Sequence, residues 1–174
     1  AVRLARRLAL PLEGYTADGG FFVEGDSPLL EAHQRLLGVE AEGADLLRLS
    51  SPLVRLQVLA EGEAPVERLL EALPRGLQAH VAESPKMPGV RFVSLTKEGV
   101  SKLSAARLVA EAYGLPLSGG AMVGGGENAP GLPRAVGVGI AMGNAPPSVK
   151  RAAQRVVAPV EACGLAEALR LLRG

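Results

Sequence analysis

Apolar and polar positions change period several times along the chain, and each change marks an element. Val2, Leu4, Ala5, Leu8 and Ala9 fall along one side of a short helix that must end before Pro11. GYTADGGFFVEGD then reads as a strand, a turn at Asp18, Gly19 and Gly20, and a second strand over residues 21–23. Pro28 opens the helix PLLEAHQRLLG, in which Leu29, Leu30, Leu36 and Leu37 recur at helical spacing before Gly38 stops it. LVRLQVLA alternates apolar and polar side chains, as a half-buried strand does. PVERLLEALPRG predicts a helix that starts at Pro65 and ends between Pro74 and Gly76. LQAHVAE and VRFVSLT are two further strands around the turn-rich SPKMPG.

The last third has a different rhythm. VSKLSAARLVAEAYGL predicts a helix begun at Ser101 and closed by Gly114. SGGAMVGGG and VGVGIAMG are short apolar runs bounded by glycines, the signature of buried parallel strands. Between them ENAPGLPRAV has room for one short helix. APPSVKRAAQRVVAP starts another at its prolines, and GLAEALRLLRG forms the last. Helices alternating with glycine-bounded apolar strands predict a doubly wound α/β arrangement, whose ligands bind at the carboxyl ends of the strands.

Composition narrows the partners. Hydrophobic residues make up 48% of the 174, yet aromatics only 3%, so the interior has to be built from Leu, Val and Ala. Nineteen Lys and Arg against eighteen Asp and Glu leave a formal charge of +1, which provides no field for nucleic acid or an anionic membrane. No apolar run approaches the roughly 20 residues of a membrane span. Cys163, the single cysteine, can form no internal disulfide and belongs to no metal-ligand pair, so a cytoplasmic location is expected. His33 and His80 have no companion His or Cys at ligand spacing and read as structural or surface residues. Asp18 reads as a turn residue, and Lys86 and Met87 as members of a loop over the middle layer.

Three linked blocks carry a resemblance: GVSKLSAARLVAEAYGL, MVGGGENAPGLPRAVGVGIAMGNAPPSVKRAAQRVV and EACGLAEAL. In order and spacing they are similar to the C-terminal half of Cof-like phosphatases of the haloacid dehalogenase superfamily. ALPLEGYTADGGFFVEG resembles the segment that follows the second motif of those enzymes. The resemblance implies an α/β fold with a partial, Rossmann-like core made by residues 1–20 and 97–174, and an α/β cap subdomain inserted at 21–96.

By the same resemblance Lys102 is the lysine that contacts the transferred phosphate and the nucleophile. The block that in the family reads Gly-Asp-Gly-x-Asn-Asp, with its acids on Mg²⁺, is here Gly124, Gly125, Gly126, Glu127, Asn128 and Ala129. Gly125 and Ala129 stand where the acids are expected, so no bound metal and no cofactor is expected of this chain. The family's Asp-x-Asp-Gly-Thr strand and its Ser/Thr motif precede the matched blocks. Phosphoryl transfer through an aspartyl intermediate needs a carboxylate nucleophile, an acid for the leaving oxygen and a cation on the phosphate. The expectation is therefore a degenerate relative, inactive as this chain and serving as a binding or assembly module. The alternative is the C-terminal part of a magnesium-dependent sugar- or nucleotide-phosphate phosphatase completed by a separate N-terminal segment.

A phosphorylated small molecule is the ligand class such a site would take, through Lys102, Gly124, Gly125, Gly126, Asn128 and Asn144. Each residue also has a plainer reading: a tight strand-to-helix turn for the glycines, a solvated helix end for Lys102, a helix-starting turn for Asn144. The expected assembly is a homodimer joined through core sheet edges or the helices that cover them. Strands near residues 14–17, 121–123 and 138–141 would otherwise carry unpaired backbone groups.

Overall fold

The computed structural model describes residues 1–126 and 131–173. The chain forms two compact units, Ala1–Glu98 and Gly99–Gly174.

The first unit is built on a six-stranded sheet. Its elements are helix α1 (Val2–Arg7), strands β1 (Leu12–Thr16) and β2 (Phe21–Glu24), helix α2 (Pro28–Leu37), strands β3 (Glu42–Gly43) and β4 (Leu53–Glu61), helix α3 (Ala64–Glu71), and strands β5 (Leu77–Ser84) and β6 (Met87–Lys97). The strand order is β3-β2-β1-β4-β6-β5, antiparallel throughout except for the short parallel pair β2 and β3. Alternation along β4 sends its residues to two faces. Leu56, Val58 and Ala60 join Val2, Leu4 and Ala5 of α1 and Val66 and Leu69 of α3 in the main core. Leu59 points the other way, into a second cluster with Leu30 of α2 and Phe92 of β6.

Local chemistry sets the helix ends. Ser27 caps α2 by accepting the Leu29 N–H at 3.3 Å, and Pro28 occupies the first turn, where no amide is needed. Gly38 ends the helix at φ 67°, a left-handed conformation that costs a side-chain-bearing residue free energy.

One expectation is overturned. The resemblance groups residues 1–20 with the C-terminal strands, but β1 lies inside the first sheet, between β2 and β4, with Leu12 opposite Val58 and Tyr15 opposite Arg55. The first unit therefore runs from residue 1 to 98, and the strand at residues 14–17 leaves no gap in the C-terminal sheet. The cause is burial: Leu12 is enclosed by the main core, and Leu46 and Leu53 close over Gly14, so that a Cβ there would meet Leu46 Cδ2 at 2.8 Å. The SPKMPG stretch also differs from the expected open loop. Only the turn at its start is loop; Met87 is buried at the beginning of β6 against the α2 cluster.

The second unit holds helix α4 (Lys102–Ala112), strand β7 (Ala121–Gly124), helix α5 (Leu132–Ala135), strand β8 (Val138–Ala141), helix α6 (Pro147–Ala152), strand β9 (Arg155–Val156) and helix α7 (Gly164–Arg173). Its three strands are all parallel, in the order β7-β8-β9. This is the glycine-bounded parallel arrangement anticipated from the apolar runs, with β9 added. Ile140, Val157 and Ala168 form one small core and Ala141, Ala145 and Val149 another.

Candidate functional site

Parallel strands place their carboxyl ends side by side, and in the second unit this brings the two glycine-containing motifs together. Gly124 ends β7 opposite Ala141, the last residue of β8, and the next residue, Met142, donates its N–H to the Gly124 carbonyl at 2.9 Å. The loop leaving β7 through Gly125 and Gly126 thus runs beside the Met142, Gly143 and Asn144 turn.

The glycines differ in what they require. A Cβ at Gly125 would meet Met142 Cβ at 3.6 Å and Ala145 Cβ at 3.9 Å, ordinary contacts, so a Cβ is accommodated there. At Gly124 a Cβ would meet only the Met122 methyl, at 2.9 Å, the far end of a flexible chain. Gly143 is different, because a Cβ would lie 2.6 Å from Pro159 N and 2.8 Å from the Val157 carbonyl oxygen. Backbone approach makes Gly143 obligatory, whereas Gly125 is glycine for no steric reason.

Lys102 opens α4, an exposed position one residue after the cap. Ser101 and Ser104 form a reciprocal capping box, with Ser101 Oγ accepting the Ser104 N–H at 3.0 Å and Ser104 Oγ accepting the Ser101 N–H at 2.8 Å. The next residue, Leu103, packs with Met122 of β7 and with Leu132 and Val136 around α5. The helix start is thereby fixed against the strand that carries Gly124. Asn144 is exposed, and its Oδ1 accepts the Val160 N–H at 3.3 Å, tying the turn after β8 to the segment before α7. Glu127, Asn128 and Ala129 lie outside the described residues.

Mg²⁺ takes carboxylate and other oxygen ligands, and the side chains of Gly125 and Ala129 contain no oxygen. Among the described residues no group of three His, Cys, Asp or Glu side chains could hold a metal ion. Among them, too, no helix is long and apolar enough to cross a membrane.

The first unit contains a polar cluster that the sequence patterns did not single out. Glu13 on β1 is fully buried, and its carboxylate meets three partners: His33 Nδ1 at 2.6 Å, the Tyr15 hydroxyl at 2.9 Å and Gln57 Nε2 at 2.8 Å. Arg55 donates to Gln57 Oε1 and lies over the Tyr15 ring, 4.6 Å from its centroid. Tyr15 stacks on Phe21 at 5.0 Å. Burial, then the charge and hydrogen bond of Glu13, push the Tyr15 hydroxyl well above its usual range. The available signal was the i, i+2 spacing of Glu13 and Tyr15, which puts both on one face of the strand. His33 is indeed structural. Asp18 sits in the β1 to β2 turn, where it accepts the Thr16 hydroxyl at 2.6 Å, and that bond with one from Ser51 holds its carboxyl below the usual range.

Residues 61–169 match the family described as haloacid dehalogenase-like hydrolase. None of the curated proteins matches the chain. Among solved structures, a haloacid dehalogenase-like hydrolase from Bacteroides thetaiotaomicron superposes with a TM-score of 0.79 at 21% identity, covering 98% of this chain and 64% of its own. The phosphatase BT1666 from the same organism gives 0.72 at 25% identity, covering 97% and 60%. The subclass IIB sugar phosphatase BT4131 gives 0.75 at 19% identity, covering 98% and 64%. The chain thus spans less than two thirds of the length of each of these proteins.

Proposed function

We propose, for a chain that belongs to the haloacid dehalogenase-like hydrolase family, that it is a phosphatase relative that does not itself hydrolyse phosphate esters and acts as a binding or assembly module. The observation that carries this reading is Gly125. It stands at the carboxyl end of β7, beside the turn that follows β8, in a position where a Cβ would make only ordinary contacts, yet it supplies no oxygen. Together with Ala129 it removes the carboxylates that would neutralise a transferring phosphoryl group. Lys102 offers one positive charge and the Gly124 to Gly126 loop offers backbone N–H groups, which suffice to bind an anion but not to activate a nucleophile or protonate a leaving group. The ligand class is therefore a phosphorylated small molecule, held without turnover. The single thiol, exposed and unpaired in a disulfide, is consistent with a cytoplasmic protein.

The test is hydrolysis of a generic aryl phosphate with added Mg²⁺. The expected result is no turnover above that of buffer, and a rate that disappears in Lys102→Ala would overturn the reading. Calorimetry with a panel of sugar and nucleoside phosphates tests the binding role; heat that Lys102→Ala abolishes supports it, and no heat across the panel counts against it.

A second reading is the C-terminal part of a magnesium-dependent sugar- or nucleotide-phosphate phosphatase, completed by a separate segment. It is favoured by the share of the relatives' length, 60% to 64%, that this chain spans, and by the sugar phosphatase among them. Recovery from the source cell of a small partner whose addition produces Mg²⁺-dependent turnover would select this reading over the first.

A further inference from the structure

The glycine loop has no side chain of its own from Gly124 to Gly126, so its course is set by what borders it. On one side the border is the turn after β8. Met142 donates its N–H to the Gly124 carbonyl at 2.9 Å, and Met142 Cβ is the atom nearest to where a Cβ at Gly125 would lie. The turn closes on itself through the Ala145 N–H, which donates to the Met142 carbonyl at 2.9 Å.

The far side of that turn is tied to one short segment, residues 157–160. Gly143 donates its N–H to the Ala158 carbonyl at 3.2 Å, an approach that only a residue without a Cβ allows. Two side chains then hold the segment, and both do so by accepting a backbone N–H. Asn144 Oδ1 accepts from Val160 at 3.3 Å, and Glu167 Oε2, in the first turn of α7, accepts from Ala158 at 2.8 Å. The start of α7 completes the arrangement. Gly164 donates to the Pro159 carbonyl at 3.2 Å, and a Cβ on it would lie 3.1 Å from the Met142 methyl. Met142 thus reaches from the glycine loop to the first residue of α7.

We propose that Asn144 and Glu167 are positioning residues for the anion site of the Gly124–Gly126 loop, acting through segment 157–160 and the Met142–Asn144 turn without touching the ligand. Backbone N–H groups hold an anion only while several of them point at one place, and a run of three glycines supplies no stiffness of its own. Stiffness has to come from the neighbouring turn, and the turn is fixed from behind by these two side chains. An anion needs donors, whereas the atoms that Asn144 and Glu167 commit here are acceptors. This role rests on the reading of the loop as a phosphate-binding site, but its first measurement is made without ligand, so the two fail separately.

In the full chain without ligand, Asn144→Ala and Glu167→Ala should each shift the amide resonances of Gly125, Gly126 and Met142 and speed their hydrogen exchange, while the α4 amides stay as in wild type. Glu167→Gln, which keeps an acceptor oxygen, should restore the wild-type values, and Arg170→Gln, at an exposed position of the same helix, should not disturb them. With inorganic phosphate as the probe, each alanine variant should bind about five-fold more weakly, the scale of one ordinary hydrogen bond. The double variant should bind no more weakly than the worse single one, because both side chains work through one segment. Loop amides that do not respond to either alanine substitution overturn the proposal. So do losses that multiply in the double variant, which would make Asn144 a ligand, and a Glu167→Gln chain that behaves as Glu167→Ala. A wild-type chain that binds no phosphate overturns the anion site itself, and responsive amides would then still establish the bracing of the loop.

Discussion

Nδ1 of His33 lies 2.6 Å from Oε1 of Glu13, joining α2 to β1 through two side chains that are both buried. The other carboxylate oxygen accepts from Tyr15 and Gln57, so both oxygens of this fully enclosed acid are hydrogen-bonded. The ring of His33 also tilts against Phe92, 5.0 Å between centroids. Replacing Glu13 with leucine leaves an imidazole, a hydroxyl and an amide without their acceptor. The expected loss is about 3 kcal/mol of stability, measured by urea unfolding. The double variant Glu13→Leu/His33→Leu should recover part of it, because an apolar pair carries no desolvation penalty. A double variant less stable than Glu13→Leu alone would show that His33 has another buried partner of consequence.

Tyr15 makes stability fall in alkali. Its hydroxyl has a higher pKa in the folded chain than the ordinary 10.0, so above that pH the unfolded state loses the proton and the folded state keeps it. The contribution is fully present below pH 10 and is lost as pH rises toward the folded value. Tyr15→Phe should flatten the decline of stability above about pH 10. Ultraviolet titration should show a tyrosine that stays protonated beyond that pH and disappears in the variant.

Arg6 has the opposite effect at the acid end. It donates to Glu24 at 2.5 and 2.8 Å and to Asp45 at 2.5 Å, and those bonds hold both carboxyls below their usual range. Groups with lowered folded pKa values stabilise the fold above the unfolded values, 4.5 and 3.8, and stop doing so as pH falls through the folded ones. Arg6→Gln should therefore move the midpoint of acid unfolding upward, read by circular dichroism. An unchanged midpoint would mean that these exposed pairs are screened to no effect.

Two glycines of the second unit should respond oppositely to substitution. Gly125→Asp introduces a side chain where contacts begin at 3.6 Å, and should change stability by about 0.5 kcal/mol or less. Gly164→Ala puts a Cβ 1.8 Å from the Ala158 carbonyl oxygen, against backbone that cannot turn aside, and should cost about 2 to 4 kcal/mol. Thermal melts of the two variants decide it. A Gly125→Asp protein as damaged as Gly164→Ala would remove the argument that the loop has room for a carboxylate.

Much of the architecture was legible because its determinants are local. Pro28 and Gly38 bracket α2, Ser101 and Ser104 cap α4, the Asp18, Gly19 and Gly20 turn closes the first hairpin, and the alternation of LVRLQVLA gives β4. Each depends on residues within a few positions of one another. The motif residues were legible for the same reason: Lys102 after its cap, Gly124 to Gly126 after an apolar run, Asn144 after the next.

The tertiary structure decided what depends on distant partners. The sheet to which β1 belongs follows from pairing with β4, some forty residues later, and no pattern inside LEGYT distinguishes that sheet from another. The strands β3 and β9 have two residues each, too short for any periodicity, and exist only through their pairing with β2 and β8. The burial of Glu13 depends on α2, twenty residues later, which supplies His33. Whether Gly125 is forced to be glycine depends on how closely Met142 and Ala145 approach, and the roles of Gly143 and Asn144 depend on the segment from Val157 to Val160. Sequence order determines which backbone conformations are cheap and which faces are apolar. Burial and pairing are properties of residues brought together from afar, and only the folded chain assigns them.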